Sequence, residues 1–159
     1  MCRMASFLFN PKTLAVKVAD LESHSNTAKI LNLSDGPKPN GWREGHYLPT
    51  GEIVCNVLDV DSHTKSECES SIKAQWPSFI KFLNWAFTEK PVIDVLKKGG
   101  GGLDLSGLTS AKDLKLPTSI GGWLDLRGLT SAKDLKLPTS IGGGLDLSDS
   151  VRAELGKRK

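Results

Sequence analysis

The chain has 159 residues, 38% hydrophobic and 25% charged, with a formal net charge of +3; it is long enough for one ordinary domain, or a small domain with a repeat array, and too apolar to be disordered. Lys and Arg exceed Asp and Glu only by 12 to 11 over residues 1–98 and by 9 to 7 over residues 99–159, so neither half has the basic excess of a phosphate-backbone binder, and nucleic acid is disfavoured as a partner. Three cysteines without paired spacing (Cys2, Cys55 and Cys68) argue against a disulfide framework, and with no signal-like or membrane-spanning apolar run they lead us to expect a cytoplasmic protein.

Residues 3–9 read as a strand, Asn10 to Thr13 as a turn, and the alternating Leu14 to Val18 as a returning strand. A short helix is expected from about Asn26 to Leu31, with Ser25 or Ser23 as its N-cap, followed by a Pro/Gly loop from Ser34 to Gly41. A second hairpin joins Trp42–Leu48 to Ile53–Val60 through Pro49, Thr50 and Gly51. The period then turns helical: a polar helix to about Gln75, capped by Ser62 or Thr64, and a second from Pro77 to about Thr88. In the latter Phe79, Ile80, Phe82, Leu83, Ala86 and Phe87 form an apolar stripe suited to lying on a sheet. Residues 1–96 therefore read as a small α+β domain of two hairpins and helices.

From Gly102 the sequence repeats. Residues 102–122 and 123–143 are one 21-residue unit written twice, differing only where Gly102 becomes Trp123 and Ser106 becomes Arg127; a partial third copy runs over 144–148. Leu-x-Leu steps at a fixed period predict a solenoid with one rung per unit, and a coil of that length has a perimeter of roughly 70 Å at most. The pattern Leu116-Pro117-Thr118-Ser119-Ile120, then Leu124-Asp125-Leu126, resembles short bacterial leucine-rich repeats, although Gly128 and Leu129 stand where those repeats carry Asn. The expected architecture is an α+β N-terminal domain, a short β-solenoid or leucine-rich-repeat-like array over 97–148, and a C-terminal capping helix with a basic tail over 149–159.

If Leu124 and Leu126 point inward, Trp123, Asp125 and Arg127 point outward. Trp and Arg are the residue types most enriched at interface hot spots, so these three are expected to centre a partner-binding patch. Asp104, Asp125 and Asp146 should stack beside it in a solvated column at about 4.8 Å spacing, where like charges repel by under ~1 kcal/mol per pair in water. Packing of Trp123 against a neighbouring segment, with Arg127 pairing to the acidic column, is the bland alternative.

Other candidates are weaker. Trp42, Arg43, His46 and Tyr47 could supply stacking and phosphate groups to a nucleotide or nucleic acid. Cys2 would become an N-terminal nucleophile on removal of Met1; the opening Met-Cys-Arg is similar to the start of class II glutamine amidotransferases, which implies a hydrolase. Asp59, Asp61 and His63 lie close together at a strand end. His24, His46 and His63 have no metal-ligand spacing, so no metal or other cofactor is expected. The layout of a Met-Cys-Arg domain followed by Leu-Asp-Leu repeats resembles small proteins of phages and bacteria. That resemblance implies a non-enzymatic interaction protein, such as a phage inhibitor that binds a host defence protein.

Overall fold

The computed structural model describes residues 5–33, 42–55, 62–98 and 102–157. Strand β1 (Ala5–Phe9) is the spine of the N-terminal half. It pairs antiparallel with β2 (Val16–Lys17) on one side and β3 (Arg43–Tyr47) on the other, and β4 (Ile53–Cys55) closes the order β2-β1-β3-β4. The turn after β1 is built by Asn10, whose side-chain oxygen accepts from the backbone N–H of Lys12 (2.9 Å) and Thr13 (3.2 Å). β1 and β2, and β3 and β4, pair antiparallel within one sheet; the rest of the expected arm, residues 56–60, and the expected loop from Ser34 to Gly41 lie outside the described residues.

All five β1 residues are buried, so this apolar strand is covered on both faces. Helix α1 (His24–Ile30), capped by Ser23, lies against β1 and buries Thr27 and Ala28. Helix α2 (Ser62–Gln75) covers β4 and buries Cys68 and Ile72. Helix α3 (Phe79–Ala86) starts two residues later than the expected Pro77: Ser78 is its N-cap, its hydroxyl accepting from the Lys81 N–H. Phe79, Phe82, Leu83 and Ala86 then fall on one face by the helical period. Phe82 sits among Phe7, Tyr47, Trp76 and Trp85 at centroid distances of 5.3–5.6 Å, which fixes α3 on the sheet. Helix α4 (Lys90–Lys97), not among the expected elements, buries Val92 and Leu96.

The duplicated segment contributes five short strands: β5 (Leu103–Asp104), β6 (Ser119–Ile120), β7 (Leu124–Leu126), β8 (Ser140–Ile141) and β9 (Leu145–Leu147). These form a parallel three-stranded sheet, β5-β7-β9, and a parallel two-stranded one, β6-β8, each in register by one repeat. Helix α5 (Asp149–Gly156) follows, capped by Ser148 and seated by the buried Val151.

This arrangement corrects the expected β-solenoid or leucine-rich-repeat array. The strands are two or three residues long, lie in two separate small sheets, and alternate with tight turns such as Leu105–Leu108 and Ala111–Leu114. Two full copies cannot supply each other's neighbours, so copy 1 packs onto the N-terminal half instead. The Gly121 N–H donates to the carbonyl of Leu96 at 2.7 Å, and the repeat leucines join the core cluster that holds Phe82 and Tyr47. The protein is a small α+β fold with one antiparallel and two parallel sheets, five helices among the described residues, and a core running through both halves. Among those residues no helix is long and apolar enough to cross a membrane.

Candidate functional site

The three repeat aspartates stack in register, Asp104 beside Asp125 and Asp125 beside Asp146. The column does not lie in water along its length, as the sequence led us to expect. Asp104 and Asp125 are buried, and only Asp146 is exposed. Burying a carboxylate is costly without compensating donors, and the two copies solve this differently. In copy 1 the Asp104 carboxylate accepts from the Ser106 hydroxyl (2.6 Å) and the Ser106 N–H (3.0 Å). In copy 2 Asp125 accepts from the Arg127 N–H (3.0 Å) and, bidentately, from Nε (3.0 and 3.1 Å) and Nη2 (2.7 Å) of its guanidinium. One of the two positions that distinguish the copies is therefore the position that neutralises a buried charge.

The other is a packing device. A Cβ built on Gly102 would lie 2.0 Å from Cδ2 of Trp123, so the half-buried indole rests on the Gly102 backbone. Trp123 is not a free side chain standing out from the sheet. Arg127 remains on the surface: its side chain is 62% exposed, while that of its partner Asp125 is 4% exposed.

Glu22 joins this cluster from the segment before α1. One of its carboxylate oxygens accepts from the Asp104 N–H at 3.0 Å and so satisfies the outer edge of β5. Burial, with Asp104 and Asp20 nearby, pushes its carboxyl up to about 7, partly opposed by that backbone hydrogen bond. No local signal marks Glu22 in the sequence, because its partner is 82 residues away.

The alternative nucleotide set is not brought together. On β3, Arg43 and Tyr47 alternate with His46, so they lie on opposite faces of the sheet. Tyr47 is fully buried and donates its hydroxyl to the Trp76 carbonyl at 2.6 Å. Both nitrogens of His46 are engaged, Nε2 with Glu44 (2.6 Å) and Nδ1 with the Ser6 hydroxyl (3.2 Å). Trp42 is half-buried beside them. Ser6, His46 and Glu44 have the order of an acyl-transfer relay, but Ser6 is 1% exposed in mid-strand.

Cys2, Asp59 and Asp61 lie outside the described residues; His63 is exposed on α2, 3.3 Å from Glu67. Cys55 and Cys68 are buried, and burial first, then neighbouring acids, pushes the Cys55 thiol up to about 12, which suppresses its nucleophilic thiolate form.

A second feature escaped the sequence reading. A groove of about 530 Å³ runs between the Lys112–Thr118 arm of copy 1 and the Asp134–Thr139 arm of copy 2. Asn84 of α3 braces the first arm, donating to the Asp113 carbonyl (2.7 Å) and accepting from the Lys115 N–H (2.8 Å). No family model matches the chain, and neither a curated protein nor a solved structure matches it.

Proposed function

We propose that the chain is a non-enzymatic protein-interaction module that holds a partner protein at the outer face of the β5-β7-β9 sheet, with Trp123 and Arg127 as its anchors and Asp146 at the rim. The observation that supports this most is the pairing of an exposed Arg127 with a buried Asp125. A guanidinium held bidentately has already lost much of its rotamer freedom, so binding through it costs less ordering entropy. Its Nη1 is left uncommitted among the described residues. The indole of Trp123, seated on Gly102 at the other end of β7, adds an apolar surface.

In the specific form suggested by the phage-like layout, the partner is a host protein whose action the module blocks. No observation favours nucleotide binding through Trp42, Arg43, His46 and Tyr47, or hydrolysis by Cys2.

The test is affinity capture from nuclease-treated bacterial lysate with the wild type and the Trp123→Gly/Arg127→Ser double variant. The variant carries the copy-1 residues at both positions, so it keeps a donor for Asp125. A partner retained by the wild type and lost by the folded variant is the expected result. Equal retention by both proteins would move the function away from this face.

A further inference from the structure

The groove between the two arms carries an inference independent of the sheet face. Copies 1 and 2 repeat in register, and Asp113 and Asp134 share the same left-handed backbone, each with φ 64°. In copy 1 the Asp113 carbonyl and the Lys115 N–H are both satisfied by the side-chain carboxamide of Asn84. Their counterparts in copy 2, the Asp134 carbonyl and the Lys136 N–H, make no hydrogen bond among the described residues. Asp134 and Lys136 both line the groove.

We infer that this groove is a binding site for an extended peptide segment of a partner protein, with an Asn or Gln side chain of that segment taking, against copy 2, the place Asn84 takes against copy 1. A carboxamide has the acceptor and donor the site requires, side by side on one planar group. Half-buried Leu116, Pro117, Leu137 and Pro138 provide apolar walls, the usual lining of a recognition groove. The rim carries three ammonium groups (Lys112, Lys115, Lys136) against two carboxylates (Asp113, Asp134), so acidic flanks on the segment meet net attraction.

The experiment titrates isotope-labelled full-length protein with an acetylated, amidated pentapeptide of Asp, Glu, Asn, Glu and Asp, followed by amide NMR and hydrogen exchange. Before peptide, the Lys115 amide should be protected and the Lys136 amide should exchange freely. Peptide should shift and protect the Lys136 amide, with a Kd of about 0.1–1 mM as expected of so small a ligand. Replacing the peptide's Asn by Ala should weaken binding about tenfold, the loss of two hydrogen bonds. The Trp123→Gly/Arg127→Ser variant should bind the peptide as the wild type does, which separates this site from the sheet face. A Lys136 amide that stays unmoved at ~5 mM peptide, or equal binding of the Ala peptide, overturns the inference.

Discussion

Copies 1 and 2 share nineteen of twenty-one residues, yet they do different work in the fold. Copy 1 is held by the N-terminal half: Glu22 caps its first strand, Leu96 accepts from Gly121, and Asn84 braces its arm. Copy 2 is held by copy 1 on one side and by α5 on the other, where Glu154 accepts from the Ala132 N–H at 2.9 Å. Ile120 is accordingly fully buried while its counterpart Ile141 is only half-buried. Identical sequence buys identical local geometry but not identical burial. The positions where copy 2 departs, Trp123 and Arg127, are those that face copy 1 or a buried charge, and the groove opens where nothing replaces Asn84.

The strongest way to break this comparison is through its leucines. Leu124 is fully buried between β5 and β9, whereas its copy-3 counterpart Leu145 on the last strand is half-buried. Leu124→Ala should cost about 2–5 kcal/mol, and Leu145→Ala distinctly less, by chemical denaturation. Equal losses would mean that the last strand is as well packed as the centre.

Next is the contact between the copies. Gly102→Ala places a methyl group against the indole of Trp123 and should destabilise by about 1–3 kcal/mol. In the Trp123→Gly background the same substitution should cost little, so a double-mutant cycle reads the coupling directly.

Glu22 tests the junction between copy 1 and the N-terminal half. Its folded carboxyl, at about 7, lies above the ordinary 4.5. Below pH 4.5 the carboxyl is protonated whether the chain is folded or not. Between pH 4.5 and 7 the unfolded chain loses the proton while the folded one keeps it, so stability falls across that window. Glu22→Gln keeps the acceptor for the Asp104 N–H and cannot ionise. It should raise stability at pH 8 by on the order of 1–2 kcal/mol, allowing for solvent screening, and leave it unchanged at pH 4. Thermal melts at the two pH values provide the check.

The smallest effect expected of a single substitution is that of Arg127→Ser, at the buried aspartate of copy 2. Arg127→Ser installs the copy-1 solution and should cost under ~1 kcal/mol, whereas Arg127→Ala takes the guanidinium from Asp125 with no hydroxyl in its place and should cost about 1–3 kcal/mol. If the two variants melt together, the guanidinium pair contributes nothing to the fold.

Much of the local structure was legible in the sequence because it depends on near neighbours. The turn at Asn10, the cap at Ser23, the apolar stripe of α3 and the in-register stacking of the repeat all follow from spacing of a few residues or from the repeat itself. No helix is expected from the sequence over α4, although Val92, Ile93, Val95 and Leu96 do recur at the helical period behind a proline in its first turn. Of the candidate site, the identities of Trp123, Asp125 and Arg127 were legible as the break in the repeat, but their environment was not. A period of two says which side chains share a face and not whether another segment covers it.

By itself, then, the sequence determined the two hairpins, the repeat register and the odd pair of substitutions, since each is encoded in contiguous residues. Only the tertiary structure decided that the repeats are layers of one α+β fold instead of a free array, that Asp104 and Asp125 are buried, and that Glu22 and Asn84 complete copy 1. Those outcomes rest on contacts between groups 29 to 82 residues apart, and they are set by which surfaces meet when the chain closes on a common core.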